Sequence, residues 1–327
     1  MKIVMLHTAD ALEPPVDPLI EQMQTTLERL GHEVARFAVA DEVDALVHAL
    51  QREAPDLVFN LAESFGGKSA LEYNVAALLT LLDIHYTGAS PAGLLLAGDK
   101  VLAKKVLRFH GIQTPEFATL YRGSVDWADK LAFPVIVKPP LEDASLGITS
   151  ASVVHDIKDL LDRIDALQTE YQAPVLVEQY IEGREFYAGV LGNVNATALP
   201  LIELDFSKFP EGKPRIATFD AKWGIDGEGG GEEFAGTQSI FPTDLDPALV
   251  ERVRDIAIET FHALRLRDYG RIDLRVTPSG EIYVIEANPN CYLERESEFA
   301  RAARELGLEY DALVAQIIAL AMARYTR

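Results

Sequence analysis

Cysteine and long apolar runs are scarce in this chain of 327 residues, which contains one cysteine, Cys291. A single thiol excludes an intramolecular disulfide framework and a zinc site built from several cysteines. No apolar run approaches the about 20 residues that cross a membrane, and the first run is too short for the core of a signal peptide. The sequence therefore predicts a cytoplasmic protein without a membrane partner.

Positive charge is also scarce. Lys and Arg number 30 against 51 Asp and Glu, which gives a net charge of −21. Without a basic stripe the chain cannot neutralise many nucleic-acid phosphates, so we expect no nucleic-acid partner. The sequence also lacks the GxxxxGK[ST] pattern, which argues against the P-loop class of nucleotide-binding proteins.

Strand-like and helix-like segments alternate along the chain, and this order predicts an α/β protein. In the first part, strands at 3–6, 33–39 and 56–61 alternate with helices at 18–30, 41–53 and 70–82. Ligands of such sheets bind at the carboxyl ends of the strands. Composition and turn signals predict three lobes, at residues 1–98, 99–185 and 186–327.

A β-hairpin near the end of the chain carries the most informative side chains. The β-rich runs 271–276 and 281–288 are joined by a turn that contains proline and glycine, so they are expected to pair. Residues two apart on a strand share a face, and Asp273 is expected to face Glu286 and Asn288. Magnesium takes few protein oxygens and completes its shell with water and phosphate. With Arg271 beside them, these ligands predict magnesium with a polyphosphate; the alternative is an ordinary exposed hairpin.

Other segments carry candidate nucleotide contacts. Lys138 ends a predicted strand, and the loop 142–148, with Ser145, is able to turn backbone N–H groups toward an anion. Glu178 and Glu185 are seven residues apart, and such carboxylates can accept hydrogen bonds from an adenine amino group and from ribose hydroxyls. Each of these residues, taken alone, is equally typical of a solvated surface.

Taken in order, these motifs resemble a known family. The segments FPVIVKP (133–139), VLVEQYIEGREF (175–186), DAKW (220–223), YGRID (269–273) and EAN (286–288) resemble the ATP-grasp superfamily and, within it, the D-alanine:D-alanine ligase group. The resemblance covers nearly the whole chain. It implies a three-lobe ATP-grasp fold with a Rossmann-like N-terminal lobe, and a reaction that converts a carboxylate into an acylphosphate before an amine attacks.

The resemblance also implies roles for individual residues. Phosphoryl transfer depends on positioning and charge neutralisation, so no covalent nucleophile is required. Lys222 and Trp223 precede Gly227 to Gly231, and we predict that this segment is a mobile lid. The resemblance implies that Lys100, Lys138 and Ser145 contact phosphates, that Lys222 contacts the γ-phosphate, and that Arg271 contacts the charge on the acyl oxygen. It implies that Glu178 and Ile181 contact adenine and that Glu185 contacts ribose. Two magnesium ions, with manganese as the alternative metal, are implied to be bound by Asp273, Glu286 and Asn288.

The substrate half departs from the pattern of the D-alanine ligases. Residues 7–15 replace a glycine-rich loop, Ala144 replaces a serine, and Glu63 replaces a histidine. Residues 289–297 replace a small-residue run, ending in Ser-Leu, that grips the carboxylate of the second substrate. We expect Glu63, Asn290 and Arg295 to border the substrate, with Arg295 pairing with a carboxylate. The alternative is that 289–297 is a solvated segment.

The sequence therefore predicts an ATP-dependent carboxylate-amine ligase that forms an amide or peptide bond. Its substrates are expected to be amino acids or short peptides, and a homodimer is compatible with the sequence. A D-alanine:D-alanine ligase, a phosphotransferase, a biotin-carboxylase-like enzyme and an ATP-binding regulator without turnover remain as alternatives. Neither the acid nor the amine follows from the sequence.

Overall fold

The computed structural model describes residues 1–9, 17–121, 124–126, 131–171, 174–224 and 230–325. The predicted lid at 227–231 lies largely outside this part of the chain, as does most of the loop at 7–15.

The first part of the chain folds as a parallel α/β unit. Its three strands form a sheet in the order β2-β1-β3, with β1 paired in parallel to both neighbours. Helix α1 begins where the Asp17 side chain accepts a hydrogen bond from the backbone N–H of Leu19, with Pro18 as its first residue. The elements are β1 (Lys2–Thr8), α1 (Pro18–Arg29), β2 (Glu33–Val39), α2 (Val43–Glu53), β3 (Leu57–Leu61), α3 (Glu72–Leu81) and α4 (Pro91–Gly98).

The central part carries an antiparallel sheet with the order β5-β4-β8-β6-β7. Asp99 caps the helix that follows it, because its carboxylate accepts from the backbone N–H groups of Val101 and Leu102. The elements are α5 (Lys100–Phe109), β4 (Phe117–Tyr121), β5 (Ser124–Asp126), β6 (Val135–Lys138), β7 (Val153–Val154), α6 (Ile157–Tyr171) and β8 (Val175–Gln179).

The last part carries a second antiparallel sheet with the order β12-β11-β9-β13-β14, and β10 pairs with β9. The elements are β9 (Arg184–Gly192), β10 (Thr197–Ala198), β11 (Ile202–Asp205), α7 (Phe219–Trp223), α8 (Glu232–Ala235), β12 (Gln238–Ile240), α9 (Pro247–Ala263), β13 (Asp268–Val276), β14 (Ile282–Asn288), α10 (Glu298–Glu305) and α11 (Tyr310–Ala323). In the described ranges no single helix is long and apolar enough to cross a membrane; α10 and α11 pass that test of length and composition only as a pair, bent by 100°.

The two faces of the last sheet have different chemistry. In β13, Ile272 and Leu274 point into a hydrophobic core that also contains Leu6 and Phe261. Successive strand residues point to opposite faces, so the charged residues that alternate with Ile272 and Leu274 line the other face. The sequence alternation of RIDLRV thus directs Arg271 and its charged neighbours toward the candidate site.

Hydrophobic cores join the first and last parts of the chain. Met5 of β1 packs in one cluster with Phe299 of α10 and Val314 of α11, whereas Leu6 packs in the cluster of Ile272. The central sheet has a core of its own, which includes Val137, Leu160 and Val177. The first sheet and the last sheet are therefore one packed body, beside which the central sheet stands with a separate core.

Candidate active site

The predicted hairpin is formed by β13 and β14. Asp273 lies opposite Glu286 and Arg271 lies opposite Asn288, with an irregularity after Asp273. The expected facing of Asp273 and Glu286 is confirmed, whereas Asn288 is diagonal to Asp273. The Asn288 side-chain amide donates to the backbone oxygen of Arg271 at 3.5 Å, so this contact leaves its amide oxygen available to another partner.

The two carboxylates of the hairpin are each bound by a cation. Arg271 donates through Nε and Nη2 to both oxygens of Asp273, at 2.7 and 2.9 Å. The Nζ of Lys100 lies 2.5 Å from Oε1 of Glu286. Burial raises the pKa of Asp273, and Arg271 offsets only part of this shift. Burial also raises the pKa of Glu286, but Lys100 and Lys138 outweigh it and bring the pKa to about 2.

The hairpin side chains fit a divalent cation by their chemistry. Two carboxylates and one amide supply the hard oxygen ligands that magnesium prefers, and phosphate and water complete such shells. Within the described residues there is no group of three or more His, Cys, Asp and Glu that could hold a metal on its own. A metal at this hairpin therefore depends on the amide of Asn288 and on oxygens brought by a ligand.

Lys222 of α7 stands within electrostatic reach of the hairpin. Its positive charge lowers the pKa values of Asp273, Glu286 and Glu298. Thr218 caps α7 by accepting from the backbone N–H of Ala221. The structure thus brings the predicted γ-phosphate lysine to the same cluster as the predicted metal ligands.

The central loop closes against the segment that carries α7. Ser145 Oγ donates to the backbone oxygen of Ala217 at 2.7 Å, and the Trp223 indole donates to that of Ala144 at 3.0 Å. Ala144 and Ser145 both have positive φ, at 52° and 63°. This left-handed backbone is uncommon for residues other than glycine, so the loop keeps a specific shape at the edge of the site.

A buried ion triad includes two of the predicted nucleotide contacts, Lys138 and Glu178. Glu178 of β8 contacts Lys138 of β6 at 2.5 Å and Lys104 of α5 at 2.8 Å. Lys104 also donates to the backbone oxygen of Ile285, at 3.1 Å. Lys138 and Glu178 are 3% and 2% exposed. Burial raises the pKa of Glu178, but the two lysines lower this pKa by more than burial raises it, so the net shift is downward.

The triad bears on one expectation from the sequence. Glu178 was expected to border adenine, and in the structure its carboxylate is bound by two ammonium groups, because buried lysines require a counter-charge; the contact with adenine stays a prediction. Lys104 was not predicted as a site residue. Its position gave a signal, since it follows Lys100 by four residues and therefore lies on the same face of a helix.

Glu185 is held by an arginine that the sequence analysis did not name. Arg275 donates through Nε and Nη2 to Oε2 of Glu185, at 3.1 and 2.7 Å, and through Nη1 to the backbone oxygen of Ile181, at 2.8 Å. Arg275 also contacts the backbone oxygen of Arg215. The same guanidinium thus fixes both residues that the resemblance places at adenine and ribose. Arg275 follows Asp273 by two residues, so strand alternation was the available signal.

Tyr187 and Glu298 complete the surroundings of Arg271, and neither was predicted. The guanidinium carbon of Arg271 lies 4.3 Å from the centre of the Tyr187 ring, and its Nη1 lies 4.0 Å from Oε2 of Glu298. Burial raises the pKa of Tyr187 well above its usual value, so its hydroxyl stays protonated. Burial also raises the pKa of Glu298, but Arg271 and hydrogen bonds outweigh it, so this carboxylate stays ionised at neutral pH.

Asn290 and Glu63 lie where the first and last parts of the chain meet. The Asn290 amide donates to the backbone oxygen of Ala62 at 3.2 Å and to Oε1 of Glu72 at 3.1 Å, and it accepts from the Tyr269 hydroxyl at 2.9 Å. Burial raises the pKa of Glu72 well above its usual value, and the negative charge of Glu63 adds to that shift. Glu72 is a further residue that the sequence analysis missed.

The structure does not bring Arg295 into this cluster. Its guanidinium carbon lies 4.5 Å from the centre of the Tyr310 ring, and Nη2 is 4.0 Å from Asp311. Nearby, Glu294 accepts from the amide of Gln22, at 2.7 Å. These charges connect the segment to α1 and α11, so for Arg295 the alternative of a structural segment describes the observed contacts, and a substrate contact of this residue stays a prediction.

Comparison with known proteins places this geometry in a family. The family model described as "D-ala D-ala ligase C-terminus" matches residues 106–319. The chain belongs to the D-alanine–D-alanine ligase family. The D-alanine–D-alanine ligase of Syntrophotalea carbinolica is 31% identical, over 91% of this chain and 88% of the relative. The uncharacterized protein y4sG of Sinorhizobium fredii is 33% identical, over 95% and 89%.

Solved structures show the same fold. The D-alanine–D-alanine ligase from Bacillus anthracis, complexed with ATP, superposes with a TM-score of 0.76 at 23% identity, over 99% of this chain and 98% of that one. VanG D-Ala:D-Ser ligase from Enterococcus faecalis gives a TM-score of 0.75 at 19% identity, over 98% and 99%. The predicted ATP-grasp fold is confirmed.

Family membership also confirms the predicted class of activity. Members of the family are ATP-dependent ligases that form C–N bonds and release ADP and phosphate. This chain is accordingly an ATP-dependent carboxylate-amine ligase, and the family implies ATP and a divalent metal as its cofactors.

Proposed function

We propose that this chain joins the carboxyl group of an amino acid or short peptide to an amine through an acylphosphate, with magnesium as the metal. The observation that carries the proposal is the cluster around the hairpin. There Arg271, Lys100 and Lys222 surround two carboxylates, Asp273 and Glu286. Such preorganised charges stabilise the transition state of phosphoryl transfer without covalent chemistry by the protein.

Around ATP, we assign the phosphates to Lys100, Lys138 and Lys222 and to the backbone of the loop at Ser145. Ile181 and Glu185 are assigned to adenine and ribose. Glu178 acts as a positioning residue, because its carboxylate holds the ammonium of Lys138. Buried charge pairs of this kind fix the geometry of a site even where they add little stability.

Asp273, Glu286 and Asn288 are the residues that would hold the metal. Two magnesium ions are proposed, with manganese as an alternative. When bound, the ions neutralise the charge of the phosphates and orient the γ-phosphate. Asp273 and Glu286 lie opposite each other in the register of β13 and β14. This supports the binding of two neighbouring metal ions by the side chains of one hairpin.

The proposed reaction has two steps. The acid's oxygen attacks the γ-phosphorus and ADP leaves, which gives the acyl carbon a phosphate leaving group. The amine nitrogen then attacks this carbon, the C–N bond forms, and the C–O bond to phosphate breaks. Of the two protons that an ammonium substrate loses, one remains on hydrogen phosphate and the other goes to solvent. Arg271 stabilises the negative charge on the acyl oxygen during attack.

The acid substrate is proposed to be an amino acid whose ammonium pairs with Glu63, with the carboxyl group of Glu72 beside it as a hydrogen-bond partner. Both carboxyl groups lie at the meeting of the first and last parts of the chain, and Asn290 orients Glu72. D-alanine:D-alanine ligation, the activity named for several relatives, is the second candidate. A cytoplasmic location, a homodimer, and the absence of nucleic-acid and membrane partners remain predictions.

The proposal is tested by screening acids with hydroxylamine as the amine. Hydroxylamine is small and uncharged, so it reports acylphosphate formation whatever amine the enzyme prefers. Amino acids of both chiralities and short peptides are incubated with ATP and magnesium, and ADP and hydroxamate are measured together by mass spectrometry. Equal amounts of ADP and hydroxamate report acylphosphate formation, and an equal amount of amide, formed when an amino acid or another amine replaces hydroxylamine, supports the ligase. Hydroxamate without an amide from any other amine indicates a phosphotransferase that releases its acylphosphate, and no ADP with any acid indicates a regulator; either result overturns the proposal.

A further inference from the structure

Glu298 is the first residue of α10, directly after Ser297. Its carboxylate stands beside Arg271, 4.0 Å from Nη1, and Oε1 accepts from the Ser239 hydroxyl at 2.8 Å. The side chain keeps 29% of its surface exposed. The carboxylate is therefore fixed in direction and still partly exposed beside Arg271.

Free N–H groups at the start of a helix attract anions such as carboxylates. At the start of α10 a carboxylate is already present, because Glu298 is the first residue of the helix and its side chain accepts from the Ser239 hydroxyl. Arg271, the guanidinium beside Glu298, donates through Nε and Nη2 to Asp273. A substrate carboxylate at this point would find Nε and Nη2 of Arg271 bound to Asp273 and the carboxylate of Glu298 as its neighbour, and such like-charge contacts disfavour a ligand.

An independent observation concerns Tyr187, which also lies beside Arg271. The hydroxyl of Tyr187 is buried and has no hydrogen-bond partner among the described residues. Its ring lies against Arg271, and the phenol experiences the charges of Arg271 and Glu298. Buried hydroxyls without a partner are uncommon, and an amine N–H from a substrate supplies the missing partner.

We propose that Glu298 selects the amine substrate, which is a primary amine without a carboxylate on the carbon that bears the amino group. An amino-acid amide or a simple alkylamine belongs to this class, and a free α-amino acid does not. Tyr187 accepts a hydrogen bond from the same amino group. This inference rests on the proposed ligase activity and names the acceptor class of that same site.

The test compares matched acceptors with the acid that the hydroxylamine screen identifies. Glycine is compared with glycinamide, and D-alanine with D-alaninamide, as kcat/KM for amide-bond formation. We expect the unmodified enzyme to prefer each amide over its free acid by at least tenfold. Glu298→Gln keeps the hydrogen bond from Ser239 and removes the charge, so the preference should fall at least tenfold, while the KM for ATP is unchanged.

Two matched variants control the result. Glu296→Gln makes the same change two residues away, at an exposed carboxylate paired with Arg304, and should keep the preference of the unmodified enzyme. Glu298→Asp retains the charge and should retain most of the preference. Free amino acids that serve as well as their amides in the unmodified enzyme overturn the inference, as does an unchanged ratio in folded Glu298→Gln. In either case hydroxamate formation still stands, so failure here is distinct from failure of the ligase proposal.

Discussion

The nucleotide half and the acceptor half of the site are built differently. In the nucleotide half the charged groups neutralise one another in buried contacts between strands, as Lys138 and Glu178 do at 3% and 2% exposure. In the acceptor half Glu298 is 29% exposed, and the Tyr187 hydroxyl has no partner in the described chain. The interactions proposed to hold ATP are thus part of the core, whereas we expect that those proposed to face the amine can change with little effect on folding.

Removing a proposed metal ligand should break the nucleotide half most severely. In Glu286→Gln the charge that faces Lys100 and the metal is lost, and ADP formation should fall by about a thousandfold or more, as is typical when a major electrostatic contact is removed. Steady-state ADP release measures the loss. Glu281→Gln, on the turn of the same hairpin, is the control and should be near normal. Near-normal turnover by folded Glu286→Gln would contradict the assignment of the metal site.

Breaking the buried triad should cost the most stability. In Lys104→Met, Glu178 loses one of its two cations at a fully buried position, and we expect the free energy of unfolding to fall by about 3 kcal/mol. Urea unfolding, with the same slope in both proteins, measures the change. Lys105→Met replaces the exposed neighbour on the same helix and should change stability by no more than about 0.5 kcal/mol. Equal losses of unfolding free energy in the two variants would show that the buried triad contributes no more to stability than an exposed lysine does.

The pH dependence of stability should separate the two halves. Burial raises the pKa of Glu178, but Lys104 and Lys138 lower it by more than burial raises it, so the pKa lies below the ordinary 4.5. A lowered carboxyl pKa stabilises the folded state at pH values above the unfolded-state pKa, and this contribution is lost as the pH falls through the folded-state pKa. In Glu178→Gln, the slope of unfolding free energy against pH below 4.5 should be shallower by up to one proton, about 1.4 kcal/mol per pH unit.

The matched change in the acceptor half is Glu298→Gln. The pKa of Glu298 is also lowered, but its carboxylate is partly exposed, and solvent screens such charges. The same slope should therefore change less than in Glu178→Gln. Urea unfolding at a series of pH values gives both slopes. A larger change in Glu298→Gln would reverse the comparison between the halves.

Local patterns in the sequence were sufficient to predict the hairpin and the face of the sheet on which its charged side chains lie. The two-residue alternation of β13 and the turn at Thr277 to Gly280 predict that Asp273 faces Glu286, and the register confirms it. Helix α4, in contrast, was not predicted, because its sequence PAGLLLAG is apolar on all sides and shows no helical period.

Partners that are distant in sequence could not be predicted in the same way. Glu178 meets Lys104 only because β8, β6 and α5 pack together, and Asn290 meets Glu72 only where the first and last parts of the chain touch. Such contacts depend on tertiary packing, and a spacing rule does not contain them. Glu298 was missed for a simpler reason, since the candidate substrate contacts of the rewritten segment were named only as far as Ser297.

The smallest expected effect concerns Arg295. Sequence reasoning assigned this residue to a substrate carboxylate, for which Arg295→Ala would raise the KM of the amine. In the structure the guanidinium lies over Tyr310, 4.5 Å from the ring centre. We therefore expect Arg295→Ala to leave the KM values of amine and ATP unchanged and to lower stability by about 0.5 to 1 kcal/mol, the usual weight of an exposed cation–π contact.

Arg295→Lys provides the matched control, because it keeps the charge near Asp311 and loses the planar stacking. If stacking on Tyr310 carries the effect, Lys and Ala should lower the free energy of unfolding by similar amounts. If the charge carries it, Lys should restore the original stability. A several-fold rise in the KM of the amine with either variant would instead return Arg295 to the acceptor half, and would mean that residues 289–297 contact the substrate as the sequence first indicated.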